Sequence, residues 1–166
     1  MIDCETLGIS THPVILQIGV AVLGHNLHII DTLQIDVDPS NQPGAQIDAS
    51  TVLWWMRQSE EARKAITAPS QKPVAIPVAL LGLNKFLTGY AVDEVWANGS
   101  AEDLVWLNSA FDAQGIKPMW GFRHQRCYRT LRNLKPDVAF PAPIEPAHVA
   151  VNDATWQAIH LARLLQ

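Results

Sequence analysis

Five side chains in this sequence are of the types that hold divalent cations and move protons, and they sit at three places. At the start, "IDCETLG" sets Asp3 and Glu5 either side of the apolar Cys4. Side chains alternate across a strand, so both carboxylates project to one face while Ile2 and Cys4 project to the other. In the middle, "WANGSAED" places Asp103 just past a glycine turn, in the first turn of a helix. Near the end, "HVAVNDATWQAIHLARLL" places Asp153 on a helix with His148 five residues earlier. Carboxylates held together in a partly dry site raise one another's pKa until a cation or a strong donor neutralises them. Mg2+ and Mn2+ take such hard oxygen ligands. Two of these ions roughly 4 Å apart activate a water and stabilise the leaving oxygen of an in-line phosphodiester displacement. A neutral histidine beside them takes the proton from that water. A lone D-x-E is far more often a solvated acidic strand end, so the reading rests on the three places together.

These residues need elements to carry them. "VILQIGVAVLG" and "LHIIDTLQIDVD" are rich in β-branched and aliphatic residues and read as a hairpin continuing a sheet begun by residues 1–5. The sequence begins two residues before Asp3, so either the first strand is short and less firmly anchored, or its true start has been lost. "PSNQPGAQ" is a loop. "STVLWWMRQSEEARKAI" has helical spacing, with Ser50 or Ser59 as the N-cap. "PVAIPVALLGLNKFLTGY" reads as a helix with prolines near its start. "DEVWANG" is a short strand, and "SAEDLVWLNSAFDAQG" a helix closed by Gly115. "RCYRTLRNL" is a further helix, and His148 to Gln166 a last one. A five-residue step turns through about 500° on a helix. His148 therefore meets the site of Asp153 only from the loop or the first turn, which Pro146 favours. Strands first, then strand and helices in alternation, make an α/β domain with a mixed central sheet flanked by helices, spanning 1–166 as a single domain.

At 166 residues, with 48% hydrophobic residues and a mean hydropathy of +0.06, the chain can bury a full core. The longest apolar run, "PVAIPVALLGL", is broken by prolines and a glycine and is too short to span a bilayer. No signal peptide is expected at the N-terminus. Cys4 and Cys127 lie far apart without zinc spacing, which points to free thiols and a cytoplasmic, reducing setting. The net charge of -4 argues against a nucleic-acid partner, but its distribution does not. Lys117, Arg123, Arg126, Arg129, Arg132 and Lys135 are half of the twelve cationic residues and have no acid among them. This stretch is either a solvated face, paired with acids elsewhere, or a phosphate track.

"DCETLG", "NGSAED" and "HVAVNDA" resemble, in order, the three motifs of the DEDDh class of 3'-5' exonucleases, with H-x-A-x-x-D-A matched at His148, Ala150, Asp153 and Ala154. "STVLWWMRQSEEAR" and "RCYRTL" look like the small phage and bacterial members related to RNase T, so the resemblance runs over nearly the whole chain. It implies an RNase H-like fold and two Mg2+ or Mn2+ ions held by Asp3, Glu5, Asp103 and Asp153. It also implies His148 as general base, a nucleic-acid 3' end, RNA or single-stranded DNA, as substrate, and a homodimer. Glu102 departs from the pattern, which has an aromatic residue before the second motif's Asp. That departure motivates a rival reading, a non-catalytic nucleic-acid-binding module. A third, a phosphohydrolase of free nucleotides, differs in substrate size.

Substrate contacts are expected at three places. Backbone around Thr6, Leu7 and Gly8 can approach a terminal ribose because Gly8 has no side chain, though Gly8 equally suits a plain turn. By resemblance Glu5 and Thr6 contact the terminal nucleotide. Trp54 and Trp55 lie about 100° apart on a helix, so one is expected in the core and the other, assigned as Trp55, over a nucleotide. Arg126, Arg129 and Arg132 recur every third residue, close together on a helix as a phosphate track requires. His12, His25, His28, His124 and His160 have no ligand spacing.

Overall fold

The aliphatic run Ile15–Leu23 forms strand β2, buried along all but its last residue, as expected of a strand covered on both faces. It is the middle of a three-stranded antiparallel sheet in the order β1-β2-β3, with β1 spanning Ile2–Thr6 and β3 Ile29–Asp36. In this computed structural model the described residues are 1–69, 71–99 and 101–166. Ser100, inside the second acidic stretch, lies outside them. The first strand spans five residues, and the Met1 nitrogen donates to the Ala21 carbonyl over 2.8 Å.

The period-two pattern divides the sheet's two faces. Ile2, Cys4, Ile18, Val20 and Val22 enter one apolar cluster with helices α3 (Ile76–Gly89) and α4 (Asp103–Ala113). Ala21 faces the other way, onto Ala154, Ala158 and Leu161 of the last helix, α6 (Ala150–Leu164). In α3 the buried residues Ile76, Ala79, Leu80, Leu83 and Leu87 follow helical spacing and Pro77 sits in the first turn. A second, parallel ladder pairs β4 (Val95–Ala97) with β5 (Gln125–Cys127), and β4 lies next to β1. The result is a mixed layer between two helical layers.

Three elements differ from the sequence reading, each for a local reason. The helix expected from Ser50 onward is two helices, α1 (Ala49–Trp55) and α2 (Glu60–Thr67). Ser59 breaks it by accepting the Ala62 N–H at 3.1 Å, with Glu60 and Glu61 following in the first turn. Ser50 is no cap; Asp48 holds the N-cap position of α1, and its carboxylate is turned to the Ile9 N–H, 2.6 Å away. "RCYRTLRNL" is not all helix. Arg126 and Cys127 pair with β4, and helix α5 (Tyr128–Leu134) begins only after the Cys127 sulfur accepts from Thr130 N–H. The last helix starts at Ala150, which leaves His148 outside it with φ 60°. Cys4 and Cys127 are free. No helix among the described residues is long and apolar enough to cross a membrane.

Candidate active site

Gly19 lies opposite Asp3 across the β1–β2 ladder and decides how close the last helix comes. A Cβ there would fall 2.0 Å from the Ala150 carbonyl carbon and 2.1 Å from its oxygen. Only glycine admits the first turn of α6 at this height on the sheet, and Ala150, Ala154 and Ala158, all fully buried, continue the close approach. Two glutamines then fix the end of the helix. Gln17 Oε1 accepts from Ala150 N–H at 3.3 Å and Gln34 Oε1 from Val151 N–H at 2.9 Å. Both amide groups donate in turn to Asp36 Oδ1, at 2.9 and 3.2 Å. Orphan N–H groups of a helix end are thus met by sheet side chains, which themselves are held by a buried acid.

This arrangement carries Asp153 over β1. Glu5, His148 and Asp153 each offer a ligand atom within 4.8 Å of the other two. From the opposite side Asp103, at the start of α4, accepts the Cys4 N–H at 3.0 Å. The alternation expected of residues 2–5 is what places Asp3 and Glu5 on the α6 face while Ile2 and Cys4 enter the core. His148 closes the rim. Its backbone N–H donates to Asp153 Oδ2 over 3.1 Å, and its ring meets Trp54 and Trp55 edge-on, with centroids 4.8 and 6.1 Å away.

The electrostatics follow from this crowding. Burial, then Asp103, Glu5 and Asp153, hold the Asp3 carboxyl well above its ordinary range, opposed by the amide of Gln157. Burial, then Asp153 and Asp103, push Glu5 up to about 8. Burial lifts Asp103 to about 6 against the Cys4 N–H that favours its charged form. Asp153 is raised by burial and opposed by His148. Among the described residues, no lysine or arginine enters the surroundings of Asp3, Glu5 or Asp103 as a compensating charge. Four hard oxygen donors with no lysine or arginine set against them among the described residues fit one or more divalent ions.

The outer residues are distributed differently from expectation. Trp55, assigned to a nucleotide, is buried at 4% exposure and donates its indole N–H to the Thr6 carbonyl at 2.8 Å. The outward ring is Trp54, 41% exposed, beside Leu53 and Met56. One ring is core and one faces outward, as the helical phase requires, but the core one is Trp55, since α1 turns its C-terminal residue onto Val14 and Leu16. Thr6 is buried and its hydroxyl donates to the Gly8 carbonyl at 2.7 Å, while Leu7 packs beside Trp55. Gly8 is buried as well, and a Cβ there would lie 2.8 Å from Asp48 Oδ2. Its missing side chain makes room for Asp48.

Arg126 lies on β5 and pairs with Glu94 at 3.0 Å, so it does not share a helical face with Arg129 and Arg132. Arg129 reaches Glu102 at 3.3 Å, and Glu102 folds so closely over Gly99 that a Cβ there would overlap its carboxylate. His160 is a satisfied core residue between Tyr128 and the Val138 carbonyl. Residue reading overlooked Gln17, Gly19, Gln34, Asp36 and Gln157. A visible signal existed for two of them, an amide and a glycine alternating inside the otherwise apolar "VILQIGVAVLG".

A family model described as the 3'-5' exoribonuclease Rv2179c-like domain matches residues 1–165. An exodeoxyribonuclease of Enterobacteria phage T4 is 28% identical over 117 residues, which are 63% of this chain and 51% of that protein. The chain thus spans about half the length of that relative. Among solved structures, exonuclease X in complex with 5' overhanging duplex DNA matches with a TM-score of 0.55 over 99% of this chain and 89% of that one, at 18% identity. That likeness is one of fold, in keeping with the RNase H-like arrangement.

Proposed function

Because this chain belongs to the 3'-5' exoribonuclease Rv2179c-like domain family, we propose that it removes nucleotides one at a time from the 3' end of RNA or single-stranded DNA, releasing nucleoside 5'-monophosphates. A single observation carries the proposal. Carboxylates from β1, α4 and α6 converge on one another, and among the described residues no lysine or arginine offsets them. In this reading Asp3, Glu5, Asp103 and Asp153 hold two Mg2+ or Mn2+ ions. Bound there, such ions would offset the negative charge, lower the pKa of an attacking water and stabilise the leaving 3' oxygen.

The protein's own groups do the rest. His148, on the rim and beside Glu5 and Asp153, takes the proton from the attacking water. The Asp153 carboxylate, by accepting from the His148 backbone, holds that loop residue at the site. Exposed Trp54 offers a face for the terminal base, a sequence-tolerant grip on a single strand. In this reading Glu5 and Thr6 are the groups for the sugar of that nucleotide, and Arg129 the group for the next phosphates. The whole of residues 1–166 acts as one catalytic domain.

The rival reading, a binding module with an impaired site, keeps its motive in Glu102, whose charge acts on Asp103 although its carboxylate pairs with Arg129. The family description favours RNA and the phage relative's name favours DNA. The test is therefore a 5'-labelled oligomer of matched sequence in both chemistries, incubated with Mn2+. A ladder shortening by single nucleotides supports the proposal and its spacing in time gives the preference. Internal cuts, or turnover of free nucleotides alone, would overturn it. Light scattering on the same preparation tests the homodimer that the RNase T resemblance implies.

A further inference from the structure

Gln157 lies four residues beyond Asp153 on α6, one turn further along the same face. Its side chain is buried at 4% exposure. The amide Nε2 donates to Asp3 Oδ1 over 2.7 Å, a long-range contact that ties the last helix to the first strand. Its Oε1 is buried and accepts from no group among the described residues. An amide oxygen left so is destabilising, and the neighbouring carboxylates cannot supply a donor when ionised. A glutamine is also a particular choice. A lysine would cancel the charge of Asp3, whereas a neutral amide orients the carboxylate and leaves its charge for a cation.

We infer that Gln157 is a positioning residue of the acidic centre: its N–H holds Asp3 in one orientation for a divalent ion. This rests on the metal-site reading given above. Groups that orient ligands in this way are worth roughly 10- to 100-fold in metal affinity. The donor to Asp3 explains why a buried amide is retained, despite its unpaired oxygen, where an apolar side chain would pack without loss.

The test is a calorimetric titration of the full chain with MnCl2, comparing wild type with Gln157→Met and Gln157→Asn. Methionine keeps the length and removes both polar atoms; asparagine keeps the amide and withdraws it by one methylene. Both should bind Mn2+ roughly 10- to 100-fold more weakly. Both should melt in EDTA close to wild type, and their activity should be largely regained at high Mn2+. Affinity within about twofold of wild type in either folded variant would overturn the inference. So would failure of both variants to fold, which would make the contact purely structural. A wild-type chain that takes up no Mn2+ would overturn the metal-site reading itself, and this inference with it.

Discussion

The Trp54 indole stands edge-on to the His148 imidazole, ring centroids 4.8 Å apart and planes at 76°. His148 sits in a left-handed backbone conformation outside α6, so ring packing and one backbone hydrogen bond are what fix it. Small misplacements of a proton acceptor cost roughly 100-fold in rate. Trp54→Ala is expected to lower kcat roughly 10- to 100-fold and to raise KM, while Trp54→Phe keeps most of both. Steady-state kinetics on a labelled oligomer read the difference. The wall formed by Trp55, which is core, should be lost only together with stability.

Gly19 and Gly82 provide a matched pair. Alanine at 19 would meet backbone of Ala150, and its cost is expected to be about 1–3 kcal/mol or more, with loss of activity as α6 is pushed off the sheet. Alanine at 82, on the exposed side of α3, would meet only Ile35 Cδ1 at 3.9 Å. It should stabilise by about 0.4–1 kcal/mol without touching activity. Urea unfolding of the two variants checks both signs.

The raised carboxyl groups make the metal-free protein sensitive to pH. Glu5 rises from its ordinary 4.5 to about 8 and Asp103 from 3.8 to about 6. A native state that keeps protons the unfolded chain has lost becomes less stable as pH rises. Their contribution is fully present below about pH 4 and is lost as pH climbs through 6 to 8. In EDTA the melting temperature should therefore fall between about pH 5 and about pH 8. The fall should flatten with Mn2+ present, and it should be smaller in Glu5→Gln.

Arg129 is held at the rim by Glu102, the residue next to Asp103. The pair is partly exposed, and such pairs are worth roughly 0.2–1 kcal/mol. Glu102→Gln frees the guanidinium and removes a charge that repels phosphate. Single-stranded oligomer binding at low salt should tighten roughly 2- to 5-fold, and Arg129→Ala should cancel the gain. Fluorescence anisotropy at two salt concentrations measures both.

The acidic centre was legible because it obeys local rules. Alternation put Asp3 and Glu5 on one face, the angular step of a helix put His148 outside α6, and turn chemistry put Asp103 at a helix start. What escaped was set by tertiary packing. Strand β5 is three residues long and carries no periodicity, so Arg126 read as helical. Trp54 and Trp55 differ only in which side of α1 meets Leu16, a choice that the two adjacent letters do not encode. The Gln17–Asp36–Gln34 support joins β2, β3 and α6 across more than a hundred residues and has no spacing of its own. Ser59 was readable as a cap, yet the continuous helical period around it masked the break.

The most direct measurement follows a 5'-labelled single strand in Mn2+ with wild type and Asp153→Asn side by side. Wild type should shorten the strand from its 3' end one nucleotide at a time and stop in EDTA. The variant should remain folded and lose the activity by at least roughly 1000-fold. A variant that degrades the strand as fast as wild type would show that the converging carboxylates are not the catalytic centre.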